Sequence, residues 1–236
     1  NMSITFHKLK TKENLFDGIL QQITEQIKSG KINPGDALPA ERVMAEQLEI
    51  SRPVVREVLK SLELVGIIYS VHGGGNYITK DIASCMVKPL SLTYDIIGAR
   101  DDEGADLRSC LEMKNATLAA HKCTSLQAAE LNLILERMKI AKTWKEAQGY
   151  DHELHFKISE IADSRIINIT LLAIDKKTAD TMTKFYASLE GKKEMQKHLN
   201  ELHQKLVNAI ILHKGPEAAL AMNEHMEFFQ KALANS

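Results

Sequence analysis

The chain has 236 residues, 44% hydrophobic and 26% charged, with a formal net charge of −1. This composition describes a soluble, globular chain of one or two domains, and no apolar run approaches the roughly 18 residues of a membrane helix. A globally basic nucleic-acid binder is excluded: residues 1–80 carry 10 Lys and Arg against 9 Asp and Glu, and residues 81–236 carry 20 against 22. Any attraction for nucleic acid must therefore be local, rest on a few phosphate contacts and fall with salt. Cys85, Cys110 and Cys123 show no paired spacing, so they read as thiols of a reducing compartment. With no signal-peptide pattern, a cytoplasmic location is expected.

Residues up to about Thr11 read as a flexible arm. Leu15, Ile19, Ile23 and Ile27 recur every fourth position and predict a first helix that stops at Ser29-Gly30. Ile32-Asn33-Pro34-Gly35 is a turn. Leu38-Pro39-Ala40-Glu41-Arg42 opens a second helix, with Pro39 at its start, Glu41 at its positive end, and Val43, Met44 and Leu48 as its apolar stripe. Glu49-Ile50 turns the chain, and Ser51 is the expected N-cap of a third helix. Val54, Val55, Leu59 and Leu62 form that helix's buried face, while Arg52, Arg56 and Lys60, four apart, share the other side. Beyond it, Gly66-Ile67-Ile68-Tyr69 and Tyr77-Ile78-Thr79 flank His72-Gly73-Gly74-Gly75-Asn76, which predicts a β-hairpin. Two short helices, a cationic second helix and a glycine-tipped hairpin make a winged helix-turn-helix, whose second helix enters the major groove of DNA.

Leu38-Pro39-Ala40-Glu41-Arg42, Ser51-Arg52-Pro53-Val54-Val55-Arg56-Glu57-Val58-Leu59, Gly66-Ile67-Ile68 and Gly73-Gly74-Gly75-Asn76-Tyr77-Ile78 resemble the winged-helix signature of GntR-family transcription regulators. The likeness spans about Leu15 to Thr79. It implies DNA contacts from Arg42, Arg52 and Arg56, Ser51 on a phosphate, and the His72-Gly73 tip in the minor groove. Val71 departs from the pattern, since many members carry a basic residue there.

Asp81 to about Leu92 reads as a partly helical connection, and Arg100 to Gly104 as a polar turn. From Ala105 onward strand signals vanish. Helical patterns run at roughly 105–123, 126–147, 150–163, 166–190, 192–213 and 216–234, separated by short breaks that include Gly149. Short connections mean antiparallel neighbours. The expected fold is mainly α. It has a winged helix-turn-helix of three helices plus a β-hairpin at 10–80, a linker at 81–104, and an all-α antiparallel helical bundle at 105–236.

Within the bundle, Asp151 and His155 are i,i+4 and share one helical face. His203 and His225 lie on the last two predicted helices, each 11 residues from Lys214 at the turn between them. An antiparallel hairpin sets such positions side by side. One carboxylate and three imidazoles could then converge on a divalent transition metal; Zn, Ni, Mn or Fe suits such a set, and spacing alone does not choose. His152, i,i+3 from His155, is the competing ligand, and His121, His198 and His213 read as bystanders.

Arg108-x-x-Leu111-Glu112 with Leu118-Ala119-Ala120, Asp151-x-x-x-His155, His203-x-x-Leu206-x-x-Ala209-Ile210 and His225 resemble the FadR-type (FCD) effector domain of the same family. The resemblance implies metal ligands at all four positions and a pocket for a small carboxylate. Met86-Val87-Lys88-Pro89-Leu90 resembles the lactate- and pyruvate-responsive branch. Arg108 is the candidate second contact to an effector carboxylate; it is equally placed for a salt bridge to Glu112.

The expected protein is a homodimeric regulator, a repressor, on a palindromic operator in double-stranded DNA, not an enzyme and not attached to a membrane. Two other classes fit the same residues: an architectural DNA-binding protein with a purely structural metal, and a metal-dependent hydrolase fused to a DNA-binding domain. A hydrolase needs a general base beside the metal, and Glu153 and Glu201 both point aside on their helices.

Overall fold

A computed structural model describes residues 6–7, 15–81 and 84–234. The expected arm falls mostly outside these residues, but its described Phe6 is not free: it is buried in the core of the first unit, and its N–H donates to Gln47 at 2.9 Å. The chain divides into two compact units, Asn1–Leu90 and Ser91–Ser236.

The first unit holds α1 (Leu15–Lys28), α2 (Glu41–Leu48) and α3 (Arg52–Leu64), then β1 (Ile68–Val71) and β2 (Gly75–Ile78). Its core joins Ile19 and Ile23 of α1, Met44 and Leu48 of α2, Val55, Leu59 and Leu62 of α3, and Ile68 and Ile78 of the strands. Val58, rather than Val54, completes the buried face of α3, because 55, 58, 59 and 62 hold a tighter i,i+3,i+4 stripe. Glu49 makes the turn from α2 to α3 in the left-handed conformation. Ser51 stands at the N-cap of α3, but its side chain caps nothing. Pro53 at the second helical position has no N–H to offer, and the hydroxyl is left exposed.

β1 and β2 pair antiparallel with Ile68 opposite Ile78 and Val71 opposite Gly75. The Gly74 N–H donates to the Val71 carbonyl at 2.8 Å and closes the tip. Gly73 (φ +72°) and Gly75 (φ +99°) occupy the left-handed region that this turn requires. Tyr69 and Tyr77 stack across the strands, ring centroids 5.5 Å apart.

Residues 84–97 form a helix, α4 (Ser84–Ile97), with Pro89 inside it. The second unit is built from α5 (Asp101–Lys122), α6 (Ser125–Lys139), α7 (Trp144–Ala162), α8 (Arg165–Ser188), α9 (Lys193–Ile211) and α10 (Gly215–Ala234). α5 packs on α7 and α10, α9 on α10, α6 on α7 and α9, and α8 on α7. The core runs from Ala116, Ala119 and Ala120 through Ile134, Leu154, Ile158, Leu206 and Ile210 to Met222. The small residues of α5 let its neighbours approach closely.

Two expected boundaries are corrected. Residues 101–104, read as a polar turn in the linker, are the first turn of α5, where the Arg100 N–H donates to Glu103 Oε2 at 2.9 Å. The pattern read as one helix over 126–147, broken at Gly149, is two helices parted at 140–143, and Gly149 lies inside α7. The cause is a local cap. The Thr143 hydroxyl accepts the Glu146 N–H at 3.2 Å, and Glu146 Oε2 accepts the Lys142 N–H at 2.8 Å. The first bond satisfies a donor that the helix start leaves unpaired, and the second ties the residue before the cap to the first turn. Replacing Thr143 by alanine is expected to cost about 1 kcal/mol of stability, read as a lower midpoint in urea denaturation. At the preceding break, Thr124 and Gln127 form a reciprocal capping box. Ser164 stands at the N-cap of α8 without a side-chain cap.

Candidate functional site

Four side chains from three helices meet inside the second unit. Asp151 and His155 project from the buried face of α7, interleaved with Leu154 and Ile158. His203 comes from α9 and His225 from α10. Each offers one donor atom, and these four atoms lie within 4.8 Å of one another. All four residues are buried, His203 completely. The hairpin of α9 and α10 brings the rings of His203 and His225 to 4.6 Å between centroids.

The donor atoms face each other. Asp151 Oδ1 accepts from His203 Nε2 at 2.9 Å and stands 3.7 and 3.9 Å from the Nε2 atoms of His155 and His225. His155 Nε2 is 3.1 Å from His225 Nε2. Two imidazole nitrogens that close share at most one proton between them. Burial alone would raise the Asp151 carboxyl, but His155 and His203 outweigh it and hold it far below the usual carboxylate range. Burial also disfavours a charged His155, yet the Glu112 and Asp151 carboxylates keep its pKa above the ordinary value. For His225, burial and then His203 and His155 push the pKa well down, leaving the neutral ring a metal ligand needs.

A surrounding shell orients the cluster. Glu112 of α5 accepts the His155 Nδ1–H at 2.8 Å, which turns the lone pair of Nε2 inward. Tyr186 of α8 is buried beside Asp151, and burial, then the Asp151 carboxylate, raise its phenol pKa well above normal. Three imidazole nitrogens, one carboxylate oxygen and a fixed tautomer fit a divalent transition metal. Glu112, Tyr186 and Asp175 are additions to the expected site. Only Glu112 had a sequence signal, its i,i+4 spacing from Arg108.

Of the two partners left open for Arg108, Glu112 is engaged: Nη2 is 3.4 Å from Glu112 Oε1, and Nε is 3.1 Å from Asp175 Oδ1. His152 is exposed and stays out of the cluster. Glu153 faces Arg137 and Glu201 faces His198, so neither stands beside the four donors. A cavity of about 270 Å³ adjoins the cluster at His155 and Glu112, with Ser159, Asn168, Leu172 and Asp175 among its walls.

In the first unit, Arg42, Arg52, Arg56 and Lys60 are exposed. Glu41 holds two of them: Arg56 donates to it from Nε and Nη2, at 3.1 and 2.8 Å, and Arg52 Nη2 lies 3.8 Å away. Arg42 pairs with Glu46 at 2.7 Å. His72 and Gly73 are exposed at the wing tip. Among the described residues no helix is long and apolar enough to cross a membrane.

Comparison with known proteins agrees with both halves. Residues 15–78 match the family described as bacterial regulatory proteins, gntR family, and residues 103–228 match the FCD domain. The HTH-type transcriptional regulator LutR of Bacillus subtilis is 26% identical over 210 residues, 88% of this chain and 96% of LutR. The Glc operon transcriptional activator of Escherichia coli K12 is 23% identical over 221 residues, covering 91% and 87%. The solved structure of Streptococcus agalactiae GntR superposes with a TM-score of 0.68 at 21% identity, over 92% of this chain and 99% of that one, and so shares the fold.

Proposed function

The chain belongs to the GntR family of bacterial transcription regulators, with an FCD domain behind its winged helix, and on that premise we propose that it is a metal-dependent, effector-controlled repressor. It binds a palindromic operator as a homodimer, one winged helix to each half-site. Arg42, Ser51, Arg52 and Arg56 meet the DNA, with the His72–Gly73 tip in the adjacent groove. Asp151, His155, His203 and His225 hold a divalent ion such as Zn, Ni or Mn. A bound ion supplies an electrostatic anchor for the carboxylate of a small metabolite.

The observation that carries this reading is the buried convergence of four metal-ligand atoms within 4.8 Å, beside a cavity large enough only for a small molecule. Glu112 fixes the orientation of His155. A direct contact from Arg108 to the effector requires it to leave Glu112 and Asp175. An effector acts only through different affinities for the DNA-competent and DNA-incompetent states, and a coupling of about 1–3 kcal/mol is typical.

The test is the thermal midpoint of the metal-loaded and the chelated protein, each with a panel of small carboxylic acids. One acid that stabilises the loaded protein and not the stripped one supports the reading. A midpoint that falls on chelation but answers to no acid makes the metal structural. The sign of control is read from an operator-driven reporter, which should rise when the regulator is deleted.

A further inference from the structure

We infer that a groove at one end of the bundle, apart from the four-donor cluster, is a second ligand site, and that it takes a small anion with a flat apolar body, in its simplest form an aromatic carboxylate. The groove encloses about 320 Å³ where the break between α6 and α7 meets the turn between α8 and α9. It stands whether or not the cluster holds a metal.

The floor of the groove is apolar and firmly packed. Leu189 at the end of α8 and Leu199 of α9 are 2% and 4% exposed, and both belong to a core cluster with Phe185 and Tyr186. Buried Met138, at the end of α6, lines the groove as well. Trp144 is the first residue of α7 and the only tryptophan of the chain. It packs against the same core cluster, is partly buried, and lines the groove with its indole. Tyr186 lines the groove too and is buried beside Asp151, which sets an occupant one side chain away from the four donors.

The charge around this floor is one-sided. Lys139, Lys142 and Lys193 line the groove, and Glu190 is the one carboxylate among its described residues. The unit as a whole has the opposite balance: residues 91–236 carry 19 Lys and Arg against 21 Asp and Glu. Lys139 pairs with Glu136 at 2.8 Å. Among the described residues, Lys142 and Lys193 have no ion-pair partner. The start of α9 also lies here and has no side-chain cap, so the positive end of its dipole adds to the field. Like charges along a cleft with low-dielectric walls focus that field and concentrate counter-ions within it. An inorganic anion would leave the apolar floor wet, and a neutral apolar molecule would leave both ammonium groups unmatched. A ligand with a flat apolar body and one anionic group meets the floor and the rim together.

The experiment titrates 4-nitrobenzoate into the full-length, metal-loaded protein. Trp144 fluorescence reports occupancy of the groove, because a nitroaromatic ring against the indole quenches it, and calorimetry reports total binding. The expected result is saturable quenching by 4-nitrobenzoate that weakens with salt. Its neutral amide, 4-nitrobenzamide, should bind roughly tenfold more weakly, and acetate at the same concentration should not displace the aromatic acid. The double variant Lys142→Gln, Lys193→Gln changes two exposed side chains and should also lose about tenfold, since two ion pairs of ordinary surface strength together come to about one decade. Equal binding of the amide, displacement by acetate, or an unchanged double variant overturns the inference. Absence of saturable quenching overturns it as well. If calorimetry still detects the acid in that case, the acid binds elsewhere, and the metal-anchored effector site is left standing.

Discussion

Replacing His203 by alanine is expected to abolish stoichiometric metal binding. His203 is completely buried and its Nε2 sits 2.9 Å from Asp151 Oδ1, nearer than either of the other two imidazoles. Loss of a group that merely orients a ligand costs about 10–100-fold in metal affinity, so loss of a ligand should exceed about a hundredfold. Two readouts follow. Elemental analysis of purified protein should show metal well below one equivalent, and the gap in thermal midpoint between untreated and chelated protein should close. Glu112→Gln provides the graded control, because the amide oxygen can still accept the His155 Nδ1–H; it should lower affinity without abolishing binding. A folded His203→Ala protein with a full equivalent of metal would remove His203 from the ligand set. If that variant fails to fold, His225→Ala tests the cluster from another helix.

Replacing Arg52 by alanine is expected to remove specific operator binding. Arg52 is the first residue of α3, exposed, and held only loosely by Glu41 at 3.8 Å. A bidentate arginine–base contact is worth about 1–3 kcal/mol, and a dimer makes each contact twice. The combined loss corresponds to roughly 30-fold to 10⁴-fold in affinity, measured at one fixed salt concentration. Arg56→Ala acts differently. It removes a cation and also frees Glu41, to which Arg56 donates from two nitrogens. A carboxylate left with only the distant Arg52, on a surface proposed to face phosphates, adds repulsion, so this variant should lose non-specific affinity as well. Arg42→Ala should instead flatten the dependence of log K on log salt, by about one for each phosphate it no longer neutralises. Unchanged specific affinity in Arg52→Ala would show that α3 does not read the operator.

Much of this was legible in the sequence, for reasons that are local. The winged helix was readable because Pro39, Glu41, Ser51 and the Gly73–Gly75 tip each mark an element boundary, and the apolar residues between them keep one period. Asp151 and His155 were readable as a pair because i,i+4 fixes a shared face, and His203 and His225 because a hairpin pairs positions equidistant from its turn. The break at 140–143 escaped because the run of helix formers continues up to it, while the deciding signal is a single threonine bonded three residues ahead. Asp175 and Tyr186 escaped for a different reason. Their place beside the cluster depends on how α8 lies against α5 and α7, and nothing in the spacing of α8 encodes that.

The four-donor cluster has a consequence for the order in which the protein is made. His155 and His225 are 70 residues apart in the chain, and α10, which supplies His225, packs against both α5 and α9. A nascent chain that has finished α9 holds only three of the four donors. In the proposed site, full coordination would therefore wait for the last helix to be synthesised and docked, and a four-donor metal would report a finished bundle.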